Sequence, residues 1–238
     1  GFSRSQALRQ KYGPAPTAAQ WTAANPGDTG EVLETALALG AAIDNMDAFW
    51  WVPTTQTLDG RWPEGTTMPD GTLAPWTHHL DLSLPYSIVV DRRGERYLNE
   101  SASYMEVGER MHERNRTHRS GIPSFVVFDG LHRKRYPWGT ALPGVTPASW
   151  IESGYMKKAD TLRELAAQCG MDPIGLEKTV ERWNGFCRDG IDADFQRGGR
   201  CFDRAHGDPT VRPNPNLGPI STPPYYAVAM VPSDVGTA

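Results

Sequence analysis

Three groups of residues in this sequence carry side chains with chemistry to offer. They are the acids between Asp192 and Asp208, the cysteines Cys169, Cys187 and Cys201, and large aromatics that include the pair Trp50-Trp51 and Tyr104. The acids invite a calcium reading, but their spacing lacks the glycine and the distal glutamate of a calcium loop, so no metal site is expected. The cysteines are odd in number and no two form a C-x-x-C pair, which predicts reduced thiols rather than a disulfide framework or a zinc site. The two tryptophans precede Pro53 and suit either a buried strand end or the wall of a pocket. Tyr104 closes the run Asn99-Glu100-Ser101-Ala102-Ser103-Tyr104. On its own residues it reads as a loop tyrosine whose hydroxyl meets water.

The motifs that are absent narrow the chemistry. The chain has no P-loop, no H-E-x-x-H, no G-x-S-x-G and no G-x-G-x-x-G, so phosphoryl transfer, zinc hydrolysis and serine-ester chemistry lack their usual signatures. A net charge of −4, with Lys and Arg scattered among the acids, offers no basic stripe for nucleic acid and no polybasic segment for anionic lipid. No apolar run approaches the ~20 residues that cross a bilayer, and no signal peptide opens the chain, so a cytoplasmic protein is expected. Asn99-Glu100-Ser101 and Asn115-Arg116-Thr117 match the glycosylation pattern, which means little without a secretion signal.

The elements that must position these residues follow from period and punctuation. Val32, Leu33, Ala36, Leu37 and Leu39 recur at helical spacing behind the possible caps Asp28 and Thr29. Residues 60–75 hold six Gly and Pro in loose array and read as a surface loop that could act as a lid. Residues 87–90 and 95–99 read as the arms of a hairpin with Gly94 at positive φ in its turn. The chain then opens a helix near residue 107, in which Arg110 and His112 are expected on the surface. Residues 124–129 form another strand, and the basic cluster from Leu131 to Trp138 reads as a solvated face. Two helices follow, one capped by Thr161 and ending at Gly170, the next capped by Asp172 with Pro173 at its first position. Residues 192–219 are turn-rich and carry no period. Residues 224–230 alternate into a last strand, and residues 232–237 read as its terminal loop.

Taken in order, residues 25–30, 47–51, 87–108, 122–136, 158–165, 192–208, 213–220 and 224–237 resemble segments of flavoprotein dehydrogenases of the fumarate reductase and 3-ketosteroid dehydrogenase superfamily. The similarity is greatest to the substrate domain of the 3-ketosteroid Δ1-dehydrogenases. The resemblance implies an α+β fold: a small, mostly antiparallel sheet with covering helices, flanked by pieces of a Rossmann-like FAD domain. It divides the chain into residues 1–62 from the first FAD-domain segment, 63–222 as the substrate domain, and 223–238 as a return strand. It also implies that the chain is an excised middle, inactive alone and binding flavin weakly, with the dinucleotide fingerprint upstream of Gly1.

The cofactor so implied is FAD and the substrate a small steroid or related ketone. Tyr104 matches the tyrosine that removes a proton beside the ketone in the steroid branch. A phenol doing this needs an apolar pocket and a hydrogen-bond partner, because its ordinary pKa of roughly 10 leaves little phenolate near neutrality. Trp50, Trp51, Tyr104 and Met105 are the implied substrate-binding residues; Thr29, Gly30, Asp234 and Gly236 are the implied cofactor-binding ones. The chain departs from the family turn by reading Thr29-Gly30-Glu31-Val32 where a final glycine is usual. The same resemblance leaves two alternatives: a fumarate-reductase-like or Δ4-desaturating flavoenzyme on another ketone or enoate, or a binding paralogue without the chemistry.

Overall fold

Five strands, four of them built on β-branched and aromatic residues, are joined in one sheet in the computed structural model, which describes residues 1–237. They are β1 (Phe49–Gln56), β2 (Ser87–Val90), β3 (Ser124–Phe128), β4 (Met156–Ala159) and β5 (Tyr225–Thr237). Every pairing among them is antiparallel, in the order β1-β5-β3-β2. β4 and β1 lie end to end along one edge of β5, against Tyr225 to Val228 and Ala229 to Thr237 respectively, while β3 takes the other edge. The α+β expectation holds, and the sheet draws strands from all three expected divisions of the chain.

Both faces of the sheet are covered, so neighbouring strand residues alternate between two cores rather than between core and water. Ile88, Val90, Phe125, Val127, Ala227 and Ala229 face one core. It is completed by Leu165, Ala166 and Cys169 of α6 (Leu162–Cys169) and by Leu176, Val180 and Trp183 of α7 (Pro173–Asp189). Val89, Val126, Phe128, Val228 and Met230 face the other, beneath Val107 and Met111 of α3 (Tyr104–His118) and Trp150 of α5 (Ala148–Glu152). A third cluster sits at the far end of β1, where Phe49 and Trp51 meet Phe2 and Leu8 of the segment through α1 (Gln6–Tyr12). The remaining helices are α2 (Glu31–Ala38), α4 (Gly130–Arg135) and the five-residue α8 (Cys201–Ala205).

Local chemistry accounts for α6 and α7. Thr161 accepts from the Glu164 amide, Asp172 accepts from the Ile174 amide with Pro173 at the first helical position, and both helices end on left-handed glycines, Gly170 and Gly190. α2 forms as expected but is capped differently. Its N-cap is Gly30 at φ +95° with no side-chain cap, while Thr29 bonds the Glu31 carboxylate instead. Its apolar stripe is not buried either: Val32 and Leu39 are each 84% exposed, and Leu33 alone of the stripe packs into the third cluster.

Four further expectations are corrected. Gly94 does turn at φ +71°, and the Asp91 amide bonds the Glu95 carbonyl across the turn, but residues 95–99 form no strand. β2 pairs with β3, and on its other edge the Val89 amide is met by the Glu100 carboxylate at 3.0 Å, a side chain in the place of a strand. Residues 232–237 are not a loop but the second half of β5. Pro232 there lies opposite Pro53, and an opposed antiparallel pair exchanges either both ladder bonds or neither, so two prolines lacking N–H fit the second kind. The expected solvated cluster is partly core: His132, Arg133, Tyr136 and Trp138 are buried, with Arg133 donating to the carbonyls of Tyr136 and Val145. His112, expected on the surface, is buried on α3, its ring 4.6 Å from that of Trp51.

Candidate active site

Tyr104 is the first residue of α3, half-buried, and its surroundings are set from two directions. β1 supplies Trp50, whose indole N–H donates to the Tyr104 hydroxyl oxygen at 3.4 Å. The loop ahead of β2 supplies His79, exposed and edge-on to the tyrosine ring with centroids 5.8 Å apart. His79 follows a fixed neighbour. His78 is buried, with Nδ1 2.6 Å from the Asp81 carboxylate and Nε2 2.7 Å from the Thr55 hydroxyl.

α3 meets β1 through residues one turn apart. Tyr104, Gly108 and His112 follow i, i+4, i+8 and so share a helix face. Gly108 is there because nothing larger fits: a Cβ would stand 2.4 Å from the Trp51 Cβ. Gly108→Val is therefore expected to push α3 off β1 and to cost about 1–3 kcal/mol. That loss exceeds the gain in helix propensity over glycine of under about 1 kcal/mol. Thermal unfolding of the variant checks it, and a midpoint at or above the parent value would contradict it. Trp51 stacks on Phe49 at 4.9 Å, and Met105 packs against the same cluster, so both lie beneath the site while Trp50 lies on it. Burial pushes the His112 imidazole down to about 4, with the Arg9 charge adding to the effect, so this histidine is neutral at pH 7.

Asn99, Glu100 and Ser101, three to five residues ahead of the helix start, are each held by a separate buried contact. Asn99 Nδ2 donates to Asp203 Oδ2 at 3.0 Å, and Asn216 Nδ2 donates to Ser101 Oγ at 3.1 Å and to the Ser83 carbonyl at 3.0 Å. Between them Glu100 takes both nitrogens of a bidentate Arg96 at 2.8 and 2.7 Å, with the Arg197 guanidinium 3.3 Å away. Arg96 also reaches Asp192, and it stacks over Trp183 at 4.4 Å. Burial alone would raise the Glu100 and Asp192 carboxyls, but Arg96, joined by Arg197 at Glu100, holds both below the ordinary carboxylate value. The turn-rich stretch 192–217, blank in the sequence, is thus a clasp on the segment that carries Tyr104. Only its burial pattern in three dimensions reveals Asp192, Arg197, Asp203 and Asn216.

The residues assigned to the cofactor gather at the same end of the sheet. The Phe2 amide bonds Thr237 Oγ1 at 2.7 Å, and a Cβ on Gly30 would strike Leu8 at 2.2 Å with Phe2 next at 3.3 Å, so the turn before α2 and the end of β5 converge there. Thr29 is exposed, and a Cβ on Gly236 would meet nothing within 4 Å. Asp234 differs: it is buried, paired with Arg9 at 2.6 Å and accepting from Thr22 at 2.8 Å, so its carboxylate is occupied within the chain. Among the described residues no cluster of His, Cys, Asp and Glu could hold a metal, and no helix is long and apolar enough to cross a membrane.

Comparison with known proteins identifies the family. The chain is 39% identical over 242 residues to the 3-oxosteroid 1-dehydrogenase of Mycolicibacterium smegmatis, covering 100% of this chain and 40% of that protein. It is 35% identical over 241 residues to the 4-oxocyclohex-2-ene-1-carboxylate 5-dehydrogenase of Sinomonas cyclohexanicum, covering 100% of this chain and 39% of that one. The crystal structure of 3-ketosteroid Δ1-dehydrogenase from Sterolibacterium denitrificans, in complex with 1,4-androstadiene-3,17-dione, superposes with a TM-score of 0.91 at 38% identity. That match covers all of this chain and 41% of that one, so the chain spans about two fifths of the relatives it resembles. On a match that runs from residue 1 to residue 238, the chain belongs to the FAD binding domain family of flavoproteins.

Proposed function

We propose that the protein containing this chain is a flavin-dependent dehydrogenase that introduces a C=C bond next to the ketone of a 3-oxosteroid, with Tyr104 as the base. The observation that carries this reading is the setting of the Tyr104 hydroxyl. It stands between Trp50 and His79, with an N–H donor on its oxygen, on a helix start clasped by three buried contacts. This is what a phenol needs in order to take a proton from carbon: a partly apolar position, a partner for the charge, and a fixed direction.

FAD is the cofactor of the family. The residues here fit one edge of it and not its pyrophosphate. Gly236 leaves open room and Gly30 opens a helix without a side-chain cap, but Glu31 and Glu34 in the first turn of α2 would repel phosphate. Thr29, Gly30 and Gly236 would hold an uncharged part of the cofactor, while Asp234 contributes indirectly by fixing β5 to Arg9. Bound FAD supplies the hydride acceptor. The chain's own residues do the rest: Tyr104 accepts the proton alpha to the ketone, Trp50 walls the substrate, and Trp51 and Met105 shape the floor beneath them. In this reading residues 1–62 and 223–238 belong to the flavin side and residues 63–222 to the substrate side.

The similarity to an oxocyclohexene carboxylate dehydrogenase raises a second ketone class. A carboxylate substrate calls for a free guanidinium or ammonium nearby. The arginines of this region are committed instead, Arg110 to Glu113 and Arg200 to Glu106, and the ring neighbours of Tyr104 are aromatic, which favours a neutral ketone. Anaerobic addition of 4-androstene-3,17-dione to the full-length yellow protein is expected to bleach the flavin. Bleaching only with a small oxo-acid would favour the second class, and purification without flavin would favour a binding paralogue.

A further inference from the structure

We infer that the Trp50 indole N–H is a working part of the base, a donor that holds negative charge on the Tyr104 oxygen. This rests on the reading of Tyr104 as the base and adds a second residue to it.

Trp50 is placed for this by an irregularity of the sheet. It is the exposed residue of a strand whose other seven residues are buried, and it is 58% exposed where Trp51 beside it is core. The register explains how: Phe49 pairs with Thr237 and Trp51 with Asp234, so the single residue Trp50 faces two, Val235 and Gly236. A bulge of this kind re-aims a side chain out of the pleat. Here the partner strand's extra residue turns Trp50 toward the start of α3. A tryptophan so exposed has water for its N–H, so burial does not force the contact with Tyr104.

The direction of that contact is fixed by chemistry. Indole nitrogen is a donor and never an acceptor, so at 3.4 Å the phenol oxygen must be accepting. A donor on that oxygen favours its anionic form. The distance is long for such a bond, but catalytic contacts commonly tighten when substrate excludes water. Among the described residues this is the single hydrogen bond that either side chain makes. The other groups near the ring do not compete for the oxygen. His79 meets the ring edge-on, Glu106 of α3 pairs with Arg200, and Arg110 pairs with Glu113. In the step itself the C–H bond alpha to the ketone breaks, its proton forms an O–H bond on the Tyr104 phenolate, and its electron pair passes into the new C=C bond as the beta hydride leaves for the acceptor that bound FAD would supply. The indole proton stays on nitrogen throughout.

The test uses the full-length holoenzyme with Trp50 replaced by 3-benzothienylalanine, which keeps the indole shape and puts sulfur where the N–H stands, and in parallel Trp50→Phe. Flavin reduction by 4-androstene-3,17-dione is followed by stopped flow with protiated and alpha-deuterated steroid. The loss of one hydrogen bond to the phenolate, offset in part because the phenolate is more basic without it, predicts a reduction rate at saturating steroid about 3- to 10-fold lower for both variants. Steroid affinity should hold within about two-fold for the sulfur isostere, which keeps the wall, and the alpha-deuterium isotope effect should rise, since proton removal becomes more limiting. Parent rates with the sulfur isostere would overturn the inference, as would weaker affinity at an unchanged rate, which marks a wall and nothing more. Failure of the base reading has its own signature: a parent rate for Tyr104→Phe.

Discussion

Tyr104→Phe in the full-length protein is expected to slow flavin reduction by a 3-ketosteroid about 10²- to 10⁴-fold while steroid affinity changes little. The substitution keeps the ring that His79 meets edge-on and deletes the oxygen that accepts from Trp50. It leaves the clasp on residues 99–101 untouched, because none of those contacts reaches the tyrosine hydroxyl. A change confined to the chemical step is therefore the prediction. Stopped-flow bleaching at saturating steroid reads that step directly. A tyrosine with a merely structural part would instead lower the unfolding midpoint or the affinity and leave the rate within a few-fold of the parent, which would remove Tyr104 from the mechanism.

The largest expected effect on stability is that of Glu100→Ala. Its carboxylate neutralises two buried guanidiniums, Arg96 and Arg197, and also meets the Val89 amide on the open edge of β2. Removing one partner of a buried pair leaves uncompensated charge and typically costs about 3–5 kcal/mol. For a domain of this size that is a fall in midpoint of roughly 10 °C. The sign with pH follows from the lowered carboxyl. A group whose folded value is depressed contributes fully above its unfolded value of about 4.3 and loses that contribution as pH falls through the folded value. The gap between parent and variant midpoints should thus be constant from neutrality to about pH 5 and narrow below about pH 4. A constant gap throughout, or none at pH 7, would show that the pair does not hold the clasp.

How much of this could be read from the chain depends on how far each residue's partner lies in sequence. α6 and α7 were legible because their caps, Thr161 and Asp172-Pro173, act within three residues of themselves. β2, β3 and the first half of β5 were legible from their apolar β-rich runs. The hairpin arm at 95–99 was misread because Glu100, a side chain, occupies the edge that a strand would take. The second half of β5 was misread because Pro232, Ser233 and Gly236 look like a loop until Pro53 is set opposite Pro232. His112 was misplaced because its cover, Trp51, belongs to a strand some sixty positions earlier. At the site, the resemblance pointed to Tyr104 and the aromatic pair. It could not divide that pair, since which tryptophan faces outward depends on a bulge in a strand at the other end of the chain.

That strand has a consequence for biosynthesis. β1, β3 and β4 all take β5 as their neighbour, and β5 begins at Tyr225, whereas β1 ends at Gln56. A nascent chain can form the β2–β3 pair early, but it holds three open strand edges until β5 leaves the ribosome. Contacts so distant in sequence fold slowly, and unpaired edges recruit one another in the meantime. Chains cut short ahead of β5 would lack the partner for most of the sheet, and aggregation is their natural fate.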